Sequence, residues 1–148
     1  MTPAQQHLWR RCSADLDNSV DKVEASGHPG IRRVRHTVTR LTEKRCKPCE
    51  GDVAPLTRAA AEKLLGELPD DWALVENGKA IAKDFEFRGF NRTMSFVNAV
   101  AWIANEQGHH PDLEVGYGRC RVRYSTHAIG GLSENDFICA AKIEALFA

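Results

Sequence analysis

From Phe90 to Gln107 the apolar side chains recur at helical spacing. Phe90, Met94, Val97, Ala101 and Ala104 form one stripe, and Phe96, Val100 and Ile103 widen it. A face that broad cannot be covered by one neighbouring helix. It predicts a long helix lying flat on a sheet. Gly108 ends the pattern, because glycine readily adopts the left-handed conformation that closes a helix, and Pro111 prevents an immediate restart. His109 and His110 stand between these two residues, on a stiff corner just past a helix end. Imidazole titrates nearest neutrality, so it can both give and take a proton there.

Strand patterns flank this helix on both sides. Trp72 to Glu76 reads as a strand, Asn77-Gly78 as a hairpin turn and Ala80 to Phe87 as the partner strand. In the second strand Ile81, Phe85 and Phe87 share one face, while Asp84 and Glu86 take the other. Lys83 falls on the apolar face and marks a point where that face is open. After Pro111, Leu113, Val115 and Tyr117 alternate, then Cys120, Val122 and Tyr124, with Arg119, Arg121 and Arg123 on the opposite face. A helix opened by Leu56-Thr57 and ended at Leu68-Pro69 precedes the first hairpin. Another, from Ser133 to Phe147, follows the second, its inner face supplied by Cys139, Ala140, Ile143, Leu146 and Phe147. The order α-β-β-α-β-β-α predicts an α+β sandwich: one four-stranded antiparallel sheet with the helices on one face.

Residues 1–45 carry no comparable pattern. Arg10 to Ala25 offers a short helix, broken by Gly27-His28-Pro29-Gly30, and the basic run Ile31 to Arg45 has too little apolar surface to offset the entropy of ordering. The reading is a basic, flexible extension over 1–45 and a folded domain over 46–148. Residues 1–50 hold ten basic and six acidic side chains, net +4, and residues 51–148 hold ten and fourteen, net −4. An acidic folded part argues against nucleic-acid binding driven by charge. No run of about 18 apolar residues exists to span a membrane, and no apolar signal core follows Arg10-Arg11, so the expected location is the cytoplasm. Five cysteines then read as free thiols. Cys46-Lys47-Pro48-Cys49 lacks the second pair a structural zinc would need and reads as an exposed linker. Strand alternation turns Cys120 inward and the helix face turns Cys139 inward, while Cys12, Cys46 and Cys49 are expected to react readily with a thiol reagent.

A third histidine, in Ser125-Thr126-His127, follows the last strand, and a hairpin can return it towards the His109-His110 corner. Ser133-Glu134-Asn135-Asp136 fits a capping box, with Leu132 and Phe137 placed for a hydrophobic staple. Asp136 is therefore a helix cap, a partner for an imidazole, or both. Three histidines also suit a catalytic metal, but adjacent ones reach one ion only around a sharp turn. The expectation is no metal.

Gly-His-His-Pro, Ser-Thr-His and Gly131-Leu132-Ser133-Glu134-Asn135-Asp136, in this order and spacing, resemble the pterin-4a-carbinolamine dehydratases. The resemblance runs from about Cys46 to the end, and Cys46 to Glu50 is similar to a lead-in of bacterial relatives. It implies the same α+β architecture and association into a homodimer or homotetramer. The implied activity is loss of water from a 4a-hydroxytetrahydropterin to give quinonoid dihydropterin, in tetrahydrobiopterin recycling beside an aromatic amino-acid hydroxylase, with no cofactor. His109, His110 and His127 match the catalytic histidines, and Asp136 matches a supporting aspartate. Glu106 and Tyr117 match substrate-contacting positions. Leu113 stands where relatives often carry an aromatic. The family also includes proteins that serve as dimerisation cofactors for a transcription factor, so a binding module of the same fold is the alternative function. Relatives typically begin near the equivalent of Thr42, which makes residues 1–41 a dispensable extension by the same reading.

Overall fold

The structure, a computed structural model, describes residues 38–48 and 53–147. The expected helix over Arg10 to Ala25, Cys12 and Cys49 lie outside the described residues. Helix α1 is Val38–Thr42, α2 is Arg58–Leu65, α3 is Phe90–Gln107 and α4 is Glu134–Glu144; the strands are β1 Ala73–Val75, β2 Ala80–Glu86, β3 Asp112–Val115 and β4 Arg119–Tyr124. The four strands form one antiparallel sheet in the order β1-β2-β4-β3. Each hairpin pairs locally, and the longest strands, β2 and β4, meet in the centre.

Alternation sorts the sheet into two faces. Ile81, Phe85, Cys120, Val122 and Tyr124 are buried towards the helices. On the other face Arg121 binds Asp84, and Arg123 bridges Glu76 and Asp112. Lys83 sits on the apolar face as expected, but that face is closed. Its ammonium is 2.7 Å from Glu144 Oε1 and 2.8 Å from Asp71 Oδ2, and Glu144 also accepts from Trp72 Nε1. A buried cation persists because its charge is paired and its bonds are made.

The first hairpin turns through a short 3-10 segment, Glu76–Gly78, with positive φ at all three residues. Thr57 caps α2 by accepting from the Ala60 N–H. That helix stops at Leu65, because Gly66 to Leu68 continue as tight turns rather than helix.

Two findings depart from the sequence reading. The fold takes in residues before Cys46: Leu41 in α1 is 0% exposed and belongs to the core cluster. Lys142 Nζ donates to Thr42 O at 2.7 Å, and Lys44 binds Glu134 at 2.5 Å, so the 38–48 segment lies along α4. Helix α4 is consequently buried nearly all round, from Asn135 to Ala141. Its end departs too. Leu146 and Phe147, expected on the inner face, are exposed, because Ala145–Phe147 tightens into a 3-10 turn and shifts the periodicity, although the Phe147 ring still packs on Phe85 and Phe96.

Candidate functional site

The corner after α3 is built by backbone geometry. Gly108 has φ +61, and its N–H donates to Asn105 O while His109 N–H donates to Ala104 O. This is a full Schellman closure, which turns the chain sharply and points it along the helix flank. Its result is that His109 goes inward, with 9% exposure, while His110 stays exposed.

The second segment arrives from β4. Thr126 pairs with Gly131 in an isolated bridge, and between them His127–Ile129 forms a 3-10 turn closed by Gly130 at φ +65. This small loop holds His127 at the surface. His109, His110 and His127 line one cavity of about 450 Å³, together with Cys46, Lys47, Gln107, Thr126 and Asn135. That volume suits a small organic ligand.

Beneath the cavity lies a chain of hydrogen bonds with Asp136 at its centre. The Asp136 carboxylate is 0% exposed. Oδ2 accepts from the Ser133 N–H at 2.7 Å and from the Thr126 hydroxyl at 2.9 Å, and Oδ1 accepts from His109 Nε2 at 2.7 Å. Thr126 gives its only hydroxyl proton to Asp136, so the 2.8 Å contact between Thr126 and Ser133 must be donated by Ser133. Ser133 Oγ in turn accepts from Asn135 N–H as the N-cap. The capping box forms, and the same carboxylate holds an imidazole. A carboxylate only accepts, so His109 carries a proton on Nε2, leaving Nδ1 as the nitrogen available for exchange. The His109 ring is also stacked on buried Tyr124, with centroids 5.7 Å apart and planes 8° from parallel. Its orientation is thus fixed from two sides.

The other expected site residues lie elsewhere. Glu106 precedes Gln107 by about 100° around α3 and faces a separate depression with Trp102, Lys142 and Leu146. Leu113 pairs with Val122 and packs against the core. Tyr117 is 77% exposed at the β3–β4 turn, beside Phe90 and remote from the histidines in the fold. None of the three lines the histidine cavity. Among the described residues no group of three His, Cys, Asp or Glu side chains is arranged to hold a metal ion.

One wall was read as linker from the sequence. Cys46 N–H donates to Gln107 Oε1, and the Asn135 side chain both accepts from Lys47 N–H and donates to Lys47 O, so Cys46, Lys47 and Pro48 form a strap over one side of the cavity. The cystine-like spacing hid this, because the two-point clasp depends on an asparagine 88 positions away.

Fold and cavity together define a small α+β protein with a histidine-lined site suited to moving protons on a compact ligand. Residues 54–146 match the family described as pterin 4 alpha carbinolamine dehydratase, and the chain belongs to that family. A Nitrosomonas europaea protein, provisionally named a pterin-4-alpha-carbinolamine dehydratase, is 57% identical over 107 residues, covering 72% of this chain and 93% of its own length. A Legionella pneumophila relative with the same provisional name is 52% identical over 106 residues, covering 72% and 94%. The crystal structure of a transcriptional coactivator/pterin dehydratase from Brucella melitensis is 32% identical and superposes with a TM-score of 0.59, covering 62% of this chain and 97% of that one.

Proposed function

We propose that the protein dehydrates a 4a-hydroxytetrahydropterin to quinonoid dihydropterin by histidine acid–base catalysis, in the recycling of tetrahydrobiopterin or a related pterin. The observation that carries this reading is the meeting of His109, His110 and His127, from two separate segments, around one cavity. Loss of water needs an acid to protonate the departing 4a-hydroxyl and a base to accept the N5 proton. His110 is the leading acid. His109 and His127 are the alternate partners, and Asp136 is a positioning residue that fixes the His109 tautomer. No redox change occurs in this step, and no covalent intermediate is required.

The three residues outside the cavity need a different account. Leu113 and Tyr117 would serve strand packing and the hairpin turn, and Glu106 would reach a ligand only if the ligand extended past the end of α3. A homodimer or homotetramer in the cytoplasm remains the expected assembly, with a hydroxylase supplying substrate. The Brucella melitensis protein is described as a transcriptional coactivator as well as a pterin dehydratase, which supports a partner-binding role for this fold as the second reading.

The test is stopped-flow measurement of carbinolamine loss by the wild type, His110→Ala and His127→Ala. Each variant is expected to lose on the order of 10²-fold in rate. Unchanged rates in both would remove the assignment and favour the binding reading.

A further inference from the structure

The geometry points to a second chemistry in the wall of the same cavity: Cys46 and Cys139 form an oxidant-sensitive dithiol, closed to a disulfide by a hydroperoxide, that pins the 44–48 strap to α4. Their sulfurs are 3.6 Å apart although 93 positions separate them in the chain. A disulfide requires about 2.05 Å, so the strap need only settle by roughly 1.6 Å. Cys46 sits on an extended segment held by side-chain clasps, which can make that movement, whereas Cys139 is fixed in α4.

The two thiols differ in the way a reacting pair must. Cys46 is half-buried and lines the cavity, so a dissolved oxidant reaches it. Cys139 is wholly buried, with the Cys46 sulfur in contact with its own. The Cys46 thiol is held below its ordinary range, chiefly by the hydrogen bond from Cys139 and then by the nearby His109 and Lys142, against the opposing effect of burial and Asp136. Cys139 is pushed up by the same contact and by burial, which favours ionisation of Cys46 first. When Cys46 loses its proton, Cys139 is placed to donate to the thiolate, which is the reactive state for attack on peroxide. Cys120 supplies the contrast: it is buried, its thiol is raised by desolvation, and its sulfur contacts Arg121 O rather than a second thiol.

The step balances as follows. Cys46 thiolate attacks one peroxide oxygen, the O–O bond breaks, and the leaving oxygen takes a proton from solvent to become water or an alcohol. Cys46 is now a sulfenic acid. Cys139 sulfur attacks the Cys46 sulfur, the S–O bond breaks, and the departing hydroxide takes the Cys139 proton to become water. Two thiols lose two electrons and the peroxide gains them. The Tyr124 hydroxyl is buried beside Cys139 and interacts with its sulfur, so it can follow the shift in charge. The outcome is mechanical. Cys46, Lys47 and Pro48 are the cavity's wall on that side, and the new bond makes that wall a covalent part of α4, four residues beyond the Asn135 clasp and three beyond Asp136.

The experiment treats the full chain with one to two equivalents of hydrogen peroxide, blocks free thiols, and maps disulfides by mass spectrometry without reduction. A Cys46–Cys139 linkage within one chain is expected, reversed by a small thiol. Closing so long a loop should raise the thermal midpoint by roughly 10 °C or more. The rise should persist in Cys49→Ser and vanish in Cys46→Ser, a substitution at a half-buried position that leaves the core intact. A Cys46–Cys49 linkage, a bond between chains, or Cys46 proceeding to sulfinic acid with Cys139 still free would overturn the proposal. The readout requires no dehydratase activity, so it stands or falls apart from the function proposed above.

Discussion

Replacing Asp136 separates its two attachments. In Asp136→Ala three donors lose a buried acceptor: Ser133 N–H, the Thr126 hydroxyl and His109 Nε2–H. Loss of the cap interaction costs about 1 kcal/mol. Each remaining buried donor left unsatisfied costs roughly 1–3 kcal/mol. Neighbouring losses are not additive, so the expected total is about 3–5 kcal/mol, a large part of the roughly 5–15 kcal/mol that holds a domain. Asp136→Asn behaves differently. Its amide oxygen can occupy the Oδ2 position and keep both Ser133 and Thr126, at a cost of about 1–2 kcal/mol for exchanging charged for neutral bonds. Its NH₂ then faces His109 Nε2, where both groups are donors. The imidazole must give up the Nε2 proton and carry it on Nδ1. Urea unfolding should therefore place the asparagine variant near the wild type and the alanine variant far below. Nitrogen NMR of the His109 ring should show the proton moved from Nε2 to Nδ1, with dehydration slowed although the protein remains folded. If the asparagine variant were as unstable as alanine, or kept the Nε2-protonated ring and full activity, the shared-carboxylate reasoning would fail.

Three other perturbations test separate parts of the fold. Gly108→Ala forces a side chain into φ +61 and should cost about 1–2 kcal/mol in a urea melt while misplacing His109 and His110, with a matching loss of rate. Glu144→Ala strips Lys83 of its buried partner and leaves only exposed Asp71, which should destabilise by about 3–5 kcal/mol, whereas Lys83→Met in the Glu144→Leu background should recover most of the loss; equal melts for the single and double variants would contradict this. Glu76 is held below the ordinary carboxylate range by its hydrogen bonds with Arg123, so its contribution is present above the unfolded carboxylate pKa and is lost as pH falls through the folded one. Glu76→Gln should thus be less stable than wild type at neutral pH and converge with it in acid, and a constant difference down to about pH 2 would refute the linkage.

What the sequence made legible follows from periodicity and punctuation. Helix α3 was readable at both ends because Gly108 supplies a left-handed stop and Phe90 opens the apolar stripe. Cys120, Val122 and Tyr124 were readable as inward because a strand alternates strictly. The Ser133–Asp136 cap was readable because its chemistry is local. What escaped depended on partners distant in the chain. Leu41 is a single apolar residue in a basic run, and only α4 gives it a place to be buried. The clasp of Asn135 on Lys47 and the contact of Cys46 with Cys139 are of the same kind. The closing of the sheet face at Lys83 needed Glu144, 61 positions on. Glu106 shows another limit: Gln107 lines both the histidine cavity and the adjoining depression, whereas Glu106, one step back on α3, lines only the latter, and no pattern in the sequence resolves a single step.

The burial of α4 on nearly every side sets the order in which a nascent chain can become a protein. The hairpins and α3 emerge from the ribosome first, and each can pair or coil locally, but the apolar face of β2 and β4 is covered only in part, by α3 through Phe96 on Phe85, until residues 134–144 follow. Until then the core around Ile81, Val122 and Tyr124 is incomplete, the circumstance in which partly folded chains aggregate. His109 also waits for its carboxylate, which arrives with α4. Folding and the organisation of the site are therefore completed by the same late event, and a chain stalled before that helix would hold the histidines without the group that orients them.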